Sequence, residues 1–476
     1  MIGFIKDKLY SYPFLFVFLF LISISAAMLF SRIFISLSVI LLLVSLLDKR
    51  VFFVSIIFVV IMLALKFYYG ECHLKRPFVG VVEDVRLSKS ISLLVSRGSC
   101  KFYLFCSAKY DNIDVADVIS FKARLKPKDT VRPSFRRYLD SLGVNYVGFA
   151  YGIRKSEFSS YKVFVKIRKR IEDEFHYFLS SDVEYFLDSS FLGDNKFKSK
   201  IKKDFVKTQT SHLLVVSGLH MGFVFGLFYL LLYRLFSMLP WIYKRFNLRI
   251  LSSLFSLPFV SLYFLVAGFH IPAMRSFLMV LVFAFGVIFS FESASYNILF
   301  MIASIFVMIN YKIILNPSFV LSFFMTFIAI FLYRLSFRRL QKYWFFLAFT
   351  VFMSLFSLPI TDFYFGRFTP LSFLSNIIFI PLFGFVVVPL AFIGSLASFL
   401  PYSVFKVWLF DVINWIIGMF LKLEAFFALY LRSYSVKLNF YEMLFVYLFL
   451  FLSVIVLSKL LPHQNSPLQT PGQNSF

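Results

Sequence analysis

Long runs almost free of charge constrain this chain more than any other feature: Pro13–Phe30, Ile33–Leu47, Val51–Leu65, His212–Phe236, Pro272–Phe291, Leu371–Leu400 and Tyr441–Leu461. A bilayer core is crossed by about 17–25 apolar helical residues, and the shorter runs reach across if flanking Lys, Arg and Tyr snorkel to the interface. One soluble core could not bury the 71 phenylalanines, and the 15% of charged residues falls below the roughly 25% of soluble domains. Lys6 and Lys8 precede the first run as in a signal peptide, but no small-residue cleavage site follows, so it is read as a retained helix.

These runs divide the chain into N-terminal transmembrane helices over 1–69, a soluble β domain over 70–155, a helical, amphipathic connector over 156–210, a second membrane region over 211–461 and a polar, Pro-bearing, disordered tail over 462–476. The expected fold class is a polytopic α-helical membrane protein with a small β-barrel, OB-like and extracytoplasmic, inserted after the third transmembrane helix.

Within the soluble block, Phe78–Glu83, Ile91–Ser96, Lys101–Cys106, Val118–Leu125 and Tyr146–Ala150 are rich in Val, Ile, Phe and Tyr, and turn residues separate them. Five short strands suit a small barrel such as the OB-fold, or an unspecialised β domain. Helical patterning takes over from Tyr161. Lys196–Lys207 carries six lysines with Phe197, Ile201 and Phe205 on one face, which predicts a helix lying on a membrane surface. A solvated basic face would read the same way. Cys72, Cys100 and Cys106 show no CxxC or Cys/His spacing, so no metal and no cofactor is expected. A disulfide between Cys100 and Cys106 would need a bend in their strand, and free thiols are the other reading.

Basic clusters at Lys49–Arg50, Lys244–Arg249 and Arg334–Lys342 are separated by even numbers of apolar runs, which puts them on one side. The positive-inside rule makes that side cytoplasmic, with the N-terminus. The soluble block, one helix after Arg50, then lies outside. Its 27 Lys/Arg against 17 Asp/Glu over 71–210 does not oppose this, because long loops cross regardless of charge.

Chemistry concentrates at Ser211-His212-Leu-Leu-Val-Val-Ser217-Gly218-Leu-His220-Met-Gly222. Ionisable groups inside an apolar span are costly and commonly face a cavity or a partner. A continuous helix places Ser217 and His220 one turn apart and His212 two turns before His220, near one face, while Ser-Gly invites a break or a close helix crossing. A packing stripe of Gly218 and Gly222, capped by the histidines, is the plainer reading. Arg275 is a further cation within an apolar run.

The stretch His212–Gly222 resembles the signature sHLLavSGLHvg of the ComEC/Rec2 family of competence proteins, nearly letter for letter. Pro133, Phe135, Tyr138 and Leu139 followed by Gly143 resemble that family's PxxFDYxxYL...G element, and Phe191-Leu-Gly193-Asp194 its LLGD element. Gly268 through Arg275, Asn297, Asn316-Pro317-Ser-Phe319, then Phe365-Gly366, Asn376 and Pro381 resemble later elements in order. Three positions depart: Gln209 stands for a glycine, Arg136 for an aspartate and Val320 for a glutamine.

The resemblance implies a channel or translocase component that conducts single-stranded DNA across the cytoplasmic membrane during natural transformation, and not an enzyme. It implies a path along His212, Ser217, Gly218, His220, Gly222, Arg275, Asn297, Asn376 and Pro381. The implied partners are single-stranded DNA, membrane lipids, a DNA receptor, a separate nuclease and a cytoplasmic ATPase, since no Walker A motif occurs. His73, His176, His212, His220, His270 and His463 form no HxHxDH cluster, so the short form without a metallo-β-lactamase-like nuclease domain is expected. Two rivals are an intramembrane serine hydrolase built on Ser217 and His220, and a small-anion transporter, for which no internal repeat is visible. Oligomeric state leaves no trace in the sequence.

Overall fold

A computed structural model describes residues 17–19, 21–22, 54–57, 59–61, 78–87, 91–97, 100–107, 113, 117–132, 135–136, 139–140, 142–155, 162–193, 199–268, 271–288, 295–309, 313–314, 316–334, 342–434 and 436–460. Most of the three expected N-terminal helices, the cluster Lys49–Arg50 and the tail 462–476 lie outside the described residues.

The five expected strands form, each starting within one residue of its sequence run: β1 (Phe78–Leu87), β2 (Ile91–Arg97), β3 (Cys100–Cys106), β4 (Val118–Pro127) and β5 (Tyr146–Lys155). They close into a barrel in the order β1-β2-β3-β5-β4. All neighbours are antiparallel except β3 with β5. Alternation decides what lies inside: Leu93, Val95, Phe102, Leu104, Ile119 and Phe121 fill the interior, with the Phe78 ring stacked 5.6 Å from Phe121. Each such side chain contributes about 1.5–3 kcal/mol on leaving water. β4 and β5 approach so closely that a Cβ on Gly148 would stand 2.1 Å from the Arg124 carbonyl oxygen, so only glycine fits there. Outside the barrel wall, Leu94, Tyr103 and Val147 are covered by Phe135, Leu139 and Leu142.

Cys100 is disulfide-bonded, with a partner outside the described residues. Cys106 is a buried free thiol, so the two ends of β3 are not joined to each other. Burial pushes the Cys106 thiol up to about 12.

The remaining described chain is helical: α1 (Lys162–Phe178), α2 (Ser181–Ser190), α3 (Ser199–Lys207), α4 (Gly218–Ser237), α5 (Leu248–Ala267), α6 (Ile271–Ile288), α7 (Ser295–Ile309), α8 (Pro317–Arg334), α9 (Lys342–Phe365), α10 (Ser372–Leu382), α11 (Val388–Ala397), α12 (Val404–Tyr430) and α13 (Phe440–Leu460). A π-turn at Phe383–Val387 joins α10 to α11 without ending the span. Among the described residues, five stretches are long and apolar enough to cross a bilayer: Gly218–Ser237, Leu248–Ala267, Phe345–Phe365, Ser372–Ala397 and Val404–Tyr430. Large apolar side chains such as Leu230, Phe385, Trp415 and Phe426 point outward from them. Lipid accepts such a surface and water does not.

α1, α2 and α3 pack along the α10–α12 hairpin. Arg170 Nε donates to the Ser398 carbonyl at 3.2 Å, and Glu174 pairs with Lys406 at 2.7 Å. Ser180 N–H donates to Asn414 Oδ1 at 2.9 Å, Phe186 stands 5.6 Å from Phe420, and Thr210 reaches Glu424. The chain thus climbs α12 from its N-terminus toward its C-terminus. α4 then runs back: Leu219 lies against Gly384, where an added Cβ would stand 3.3 Å from Leu219 Cδ1, while Phe223 and Phe228 lie about 6 Å from Phe392, nearer the Ser398 end.

This corrects two expectations. Lys244–Arg249, just beyond α4, and α1 share the Ser398–Lys406 end of the bundle. Six residues link β5 to α1, and an extended link of that length reaches about 25 Å at most. The barrel therefore belongs to the same end as Lys244. The even-count reading fails because the stretch before α4 enters the bundle from that end and returns to it. The second correction concerns Lys196–Lys207. The apolar face of α3 does not wait for lipid: Phe205 is 1% exposed, 5.7 Å from Phe186 and 6.4 Å from Phe420, with Ile201 beside it. Phe197 lies outside the described residues.

Candidate functional site

The stretch from Thr208 to Gly222 is a broken helix. α3 ends in a Schellman turn, in which Thr210 N–H donates to the Phe205 carbonyl at 2.9 Å and Gln209 N–H to that of Val206 at 3.3 Å. This turn needs a left-handed residue, and Gln209 supplies it at φ 61°. The departure from glycine noted in the sequence therefore leaves the bend intact. The turn aims Thr208 and Thr210 at one oxygen of Glu424, with Thr210 Oγ1 at 2.6 Å. All three residues are fully buried, and Glu424 Oε2 has no hydrogen-bond partner among the described residues.

A short 3₁₀ turn at Ser211–Leu214 follows, then extended backbone to Ser217. His212 is exposed on that turn, so it does not share a helical face with His220 as a continuous helix would require. α4 begins only at Gly218, with a reciprocal capping box: Ser217 Oγ accepts from the His220 backbone N–H, and His220 Nδ1 accepts from Ser217 N–H at 3.1 Å. Because Leu219 lies against Gly384, this helix start sits near the middle of the Ser372–Ala397 span.

The His220 ring is 1% exposed, edge-on to Phe383 at 5.2 Å, and its Nε2 has no hydrogen-bond partner among the described residues. Ser217 Oγ lies 3.2 Å from His220 Nδ1. That nitrogen already serves the backbone cap, and among the described residues no carboxylate orients the other one, which is not the constellation of a serine hydrolase. The expected Gly218–Gly222 packing stripe is also absent: a Cβ on Gly218 would come no nearer than 4.0 Å to Ser276 Oγ, and one on Gly222 would meet nothing within 4 Å among the described residues. The close helix approach falls instead on Gly384.

Arg275, 4% exposed on α6, donates to the Ser318 carbonyl at the start of α8. Asn316 caps the same helix start, accepting from Ser318 N–H at 2.9 Å. Arg275 thus ties α6 to α8, a packing role the sequence did not suggest, while its Nε has no hydrogen-bond partner among the described residues. Asn376 donates to Ser354 Oγ at 2.9 Å and joins α10 to α9; Pro381 precedes the π-turn; Asn297 is half-buried on α7, between α6 and α8. Phe135 packs edge-on against Tyr103 at 5.6 Å, and Gly193 turns the chain after α2 at φ 76°. Pro133, Tyr138 and Asp194 lie outside the described residues.

The barrel carries a second feature. Lys122, Arg124 and Lys126 alternate along the outer face of β4, all exposed. Opposite them on β5, Tyr151 pairs in register with Lys122 and Phe149 with Arg124. Phe149 is 66% exposed and Tyr151 53%, high for aromatic side chains in a strand. Cations interleaved with bare rings can bind phosphates and stack bases.

Compared with known proteins, residues 191–460, more than half of the chain, match a family model described as competence protein. No curated protein and no solved structure matches.

Proposed function

This chain belongs to the competence protein family, a membrane family whose role is DNA uptake in transformation, and on that premise we propose that it conducts single-stranded DNA across the cytoplasmic membrane. The observation that carries this reading is the β4–β5 face of the barrel, where three exposed cations stand beside two exposed rings. In this reading the barrel is an OB-like receiver for the strand. The path continues at the broken helix, where His212, Ser217, Gly218, His220 and Gly222 offer N–H groups, imidazoles and room free of side chains. Arg275, Asn297, Asn376 and Pro381 hold the surrounding helices; of the motif in the soluble part (Pro133, Phe135, Tyr138, Gly193, Asp194), Phe135 braces the barrel wall and Gly193 turns the connector.

The barrel end faces outward and the N-terminus inward. The Cys100 disulfide supports this, because such bonds persist in oxidising compartments. Lys244–Arg249 then lies outside too, where its cations draw in a polyanion. A DNA receptor, a nuclease acting in trans and a cytoplasmic ATPase complete the machinery.

Deleting the gene should leave labelled DNA bound at the envelope and absent from the cytoplasm. Equal cytoplasmic label in deletion and parent strains would refute the reading. The hydrolase alternative has only the Ser217–His220 contact in its favour, and that contact is a helix cap.

A further inference from the structure

We propose that the cleft between α1 and the α11–α12 turn is a second binding site for single-stranded DNA, holding phosphates on Lys166 and Lys169 and bases on Tyr177 and Tyr402; this rests on the conduit reading above. The cleft encloses about 750 Å³ and opens to solvent. Sites that hold small ligands span about 300–1,000 Å³, so a few nucleotides fit.

Its charge is arranged for an anion. Lys166, Lys169, Arg170 and Lys406 line it against Asp173 and Glu174, which leaves an excess of two positive charges. The cations are not equivalent. Lys406 is buried, bound to Glu174 at 2.7 Å and to the Leu400 carbonyl at 3.1 Å, and lies 5.5 Å from the Phe178 ring. Arg170 is held by the Ser398 carbonyl and the Phe399 ring. These two fix the walls. Lys166 and Lys169 are exposed and make no ion pair among the described residues, so their charge is available.

The rings argue for a nucleic acid over a lipid headgroup. Tyr177 is 74% exposed and Tyr402 72%, on opposite walls of the cleft. A phosphate headgroup needs no exposed ring, whereas every base has a face to stack, worth a substantial part of the affinity in single-strand binding. The walls are rigid, since Phe178 stacks on Phe410 at 4.8 Å and lies 6.3 Å from Tyr402. Continuity supports the same occupant. β5, which bears Phe149 and Tyr151, ends at Lys155, and α1 begins at Lys162. The barrel face and the cleft are thus joined through a link of six residues, about 25 Å at full extension.

The test uses the full chain in phosphatidylcholine nanodiscs with a fluorescent oligothymidylate of about 20 nucleotides, long enough to cover one OB-type site and its neighbour. The parent should bind, with affinity falling as salt rises. Lys166→Gln with Lys169→Gln should weaken binding about tenfold and reduce the salt slope by about 1.4, near 0.7 for each lost phosphate contact. Tyr177→Ala with Tyr402→Ala should weaken binding about tenfold and leave the slope unchanged. All four side chains are exposed, so folding is not at risk. Parental binding by both cleft pairs, alongside weakened binding by Arg124→Gln with Phe149→Ala, would overturn the cleft and spare the barrel. No binding by the parent would overturn both. A third result also counts against the cleft: phosphatidylglycerol retained in native mass spectra and lost from the lysine pair, with oligonucleotide affinity unchanged, would make it a lipid site.

Discussion

Thr210 donates its hydroxyl to Glu424 Oε1 at 2.6 Å across 214 positions of sequence, and both side chains are fully buried. The bond joins the bend before the broken helix to the C-terminal half of α12. An acid in an apolar span is retained only with partners, and here they come from a turn that no helical pattern reveals.

Glu424→Gln keeps an acceptor and should change unfolding in detergent little. Glu424→Leu strands the Thr210 hydroxyl and should lower stability by about 1–3 kcal/mol. Thr208 has the Asp204 carbonyl at 3.1 Å as a second acceptor and should suffer less. A double-mutant cycle of Thr210→Val with Glu424→Leu, which removes the acceptor, should give a coupling of about 0.6–1.5 kcal/mol. Zero coupling would show that the pair does not form.

Gln209 occupies a left-handed conformation that costs a side-chain-bearing residue about 1 kcal/mol. Gln209→Gly should therefore raise the thermal midpoint, while β-branched Gln209→Val should lower it. A destabilised glycine variant would mean that the Schellman turn is wrong.

Membrane-impermeant labelling of single cysteines introduced at Lys128, Lys244 and Tyr402 should report one side for all three, because α1 docks at the end where α4 terminates. Cys106 should not react in the folded barrel, being buried with its thiol pushed up to about 12. Opposite sides for Lys128 and Lys244 would restore the parity inferred from loop charges.

Ser217→Ala removes one cap bond and should cost about 1 kcal/mol, with transformation frequency within severalfold of the parent at equal membrane level. A hydrolase would lose all activity. Complete loss of transformation with normal protein level would reopen that reading.

Gly384→Leu should reduce folded protein, since a Cβ there already stands 3.3 Å from Leu219 Cδ1. Gly222→Leu meets open space and should fold normally. If it also stops transformation, the space along α4 is used for passage. Unchanged transformation in Gly222→Leu and His220→Asn would place the path elsewhere.

The five strands and the long spans were legible because both rest on local periodicity. Alternation of Val, Ile and Phe buries one face of a strand, and about twenty apolar residues have nowhere to go but lipid. The Ser-Gly break at 217–218 was legible too, since a capping residue and a glycine say where a helix can start. The side of the membrane reached by α4 was not legible. Counting apolar runs treats each as a crossing, and nothing local distinguishes His212–Phe236 as a crossing from a segment that starts in mid-span after α2 and α3 have entered from the same end. Only the contacts of Arg170 with Ser398, Glu174 with Lys406 and Leu219 with Gly384 decide it. Arg275 and Phe205 teach the same lesson. A cation or an amphipathic face announces that it needs a partner, but the partner here comes from distant chain, and long-range packing determines whether it is a carbonyl, a ring or lipid.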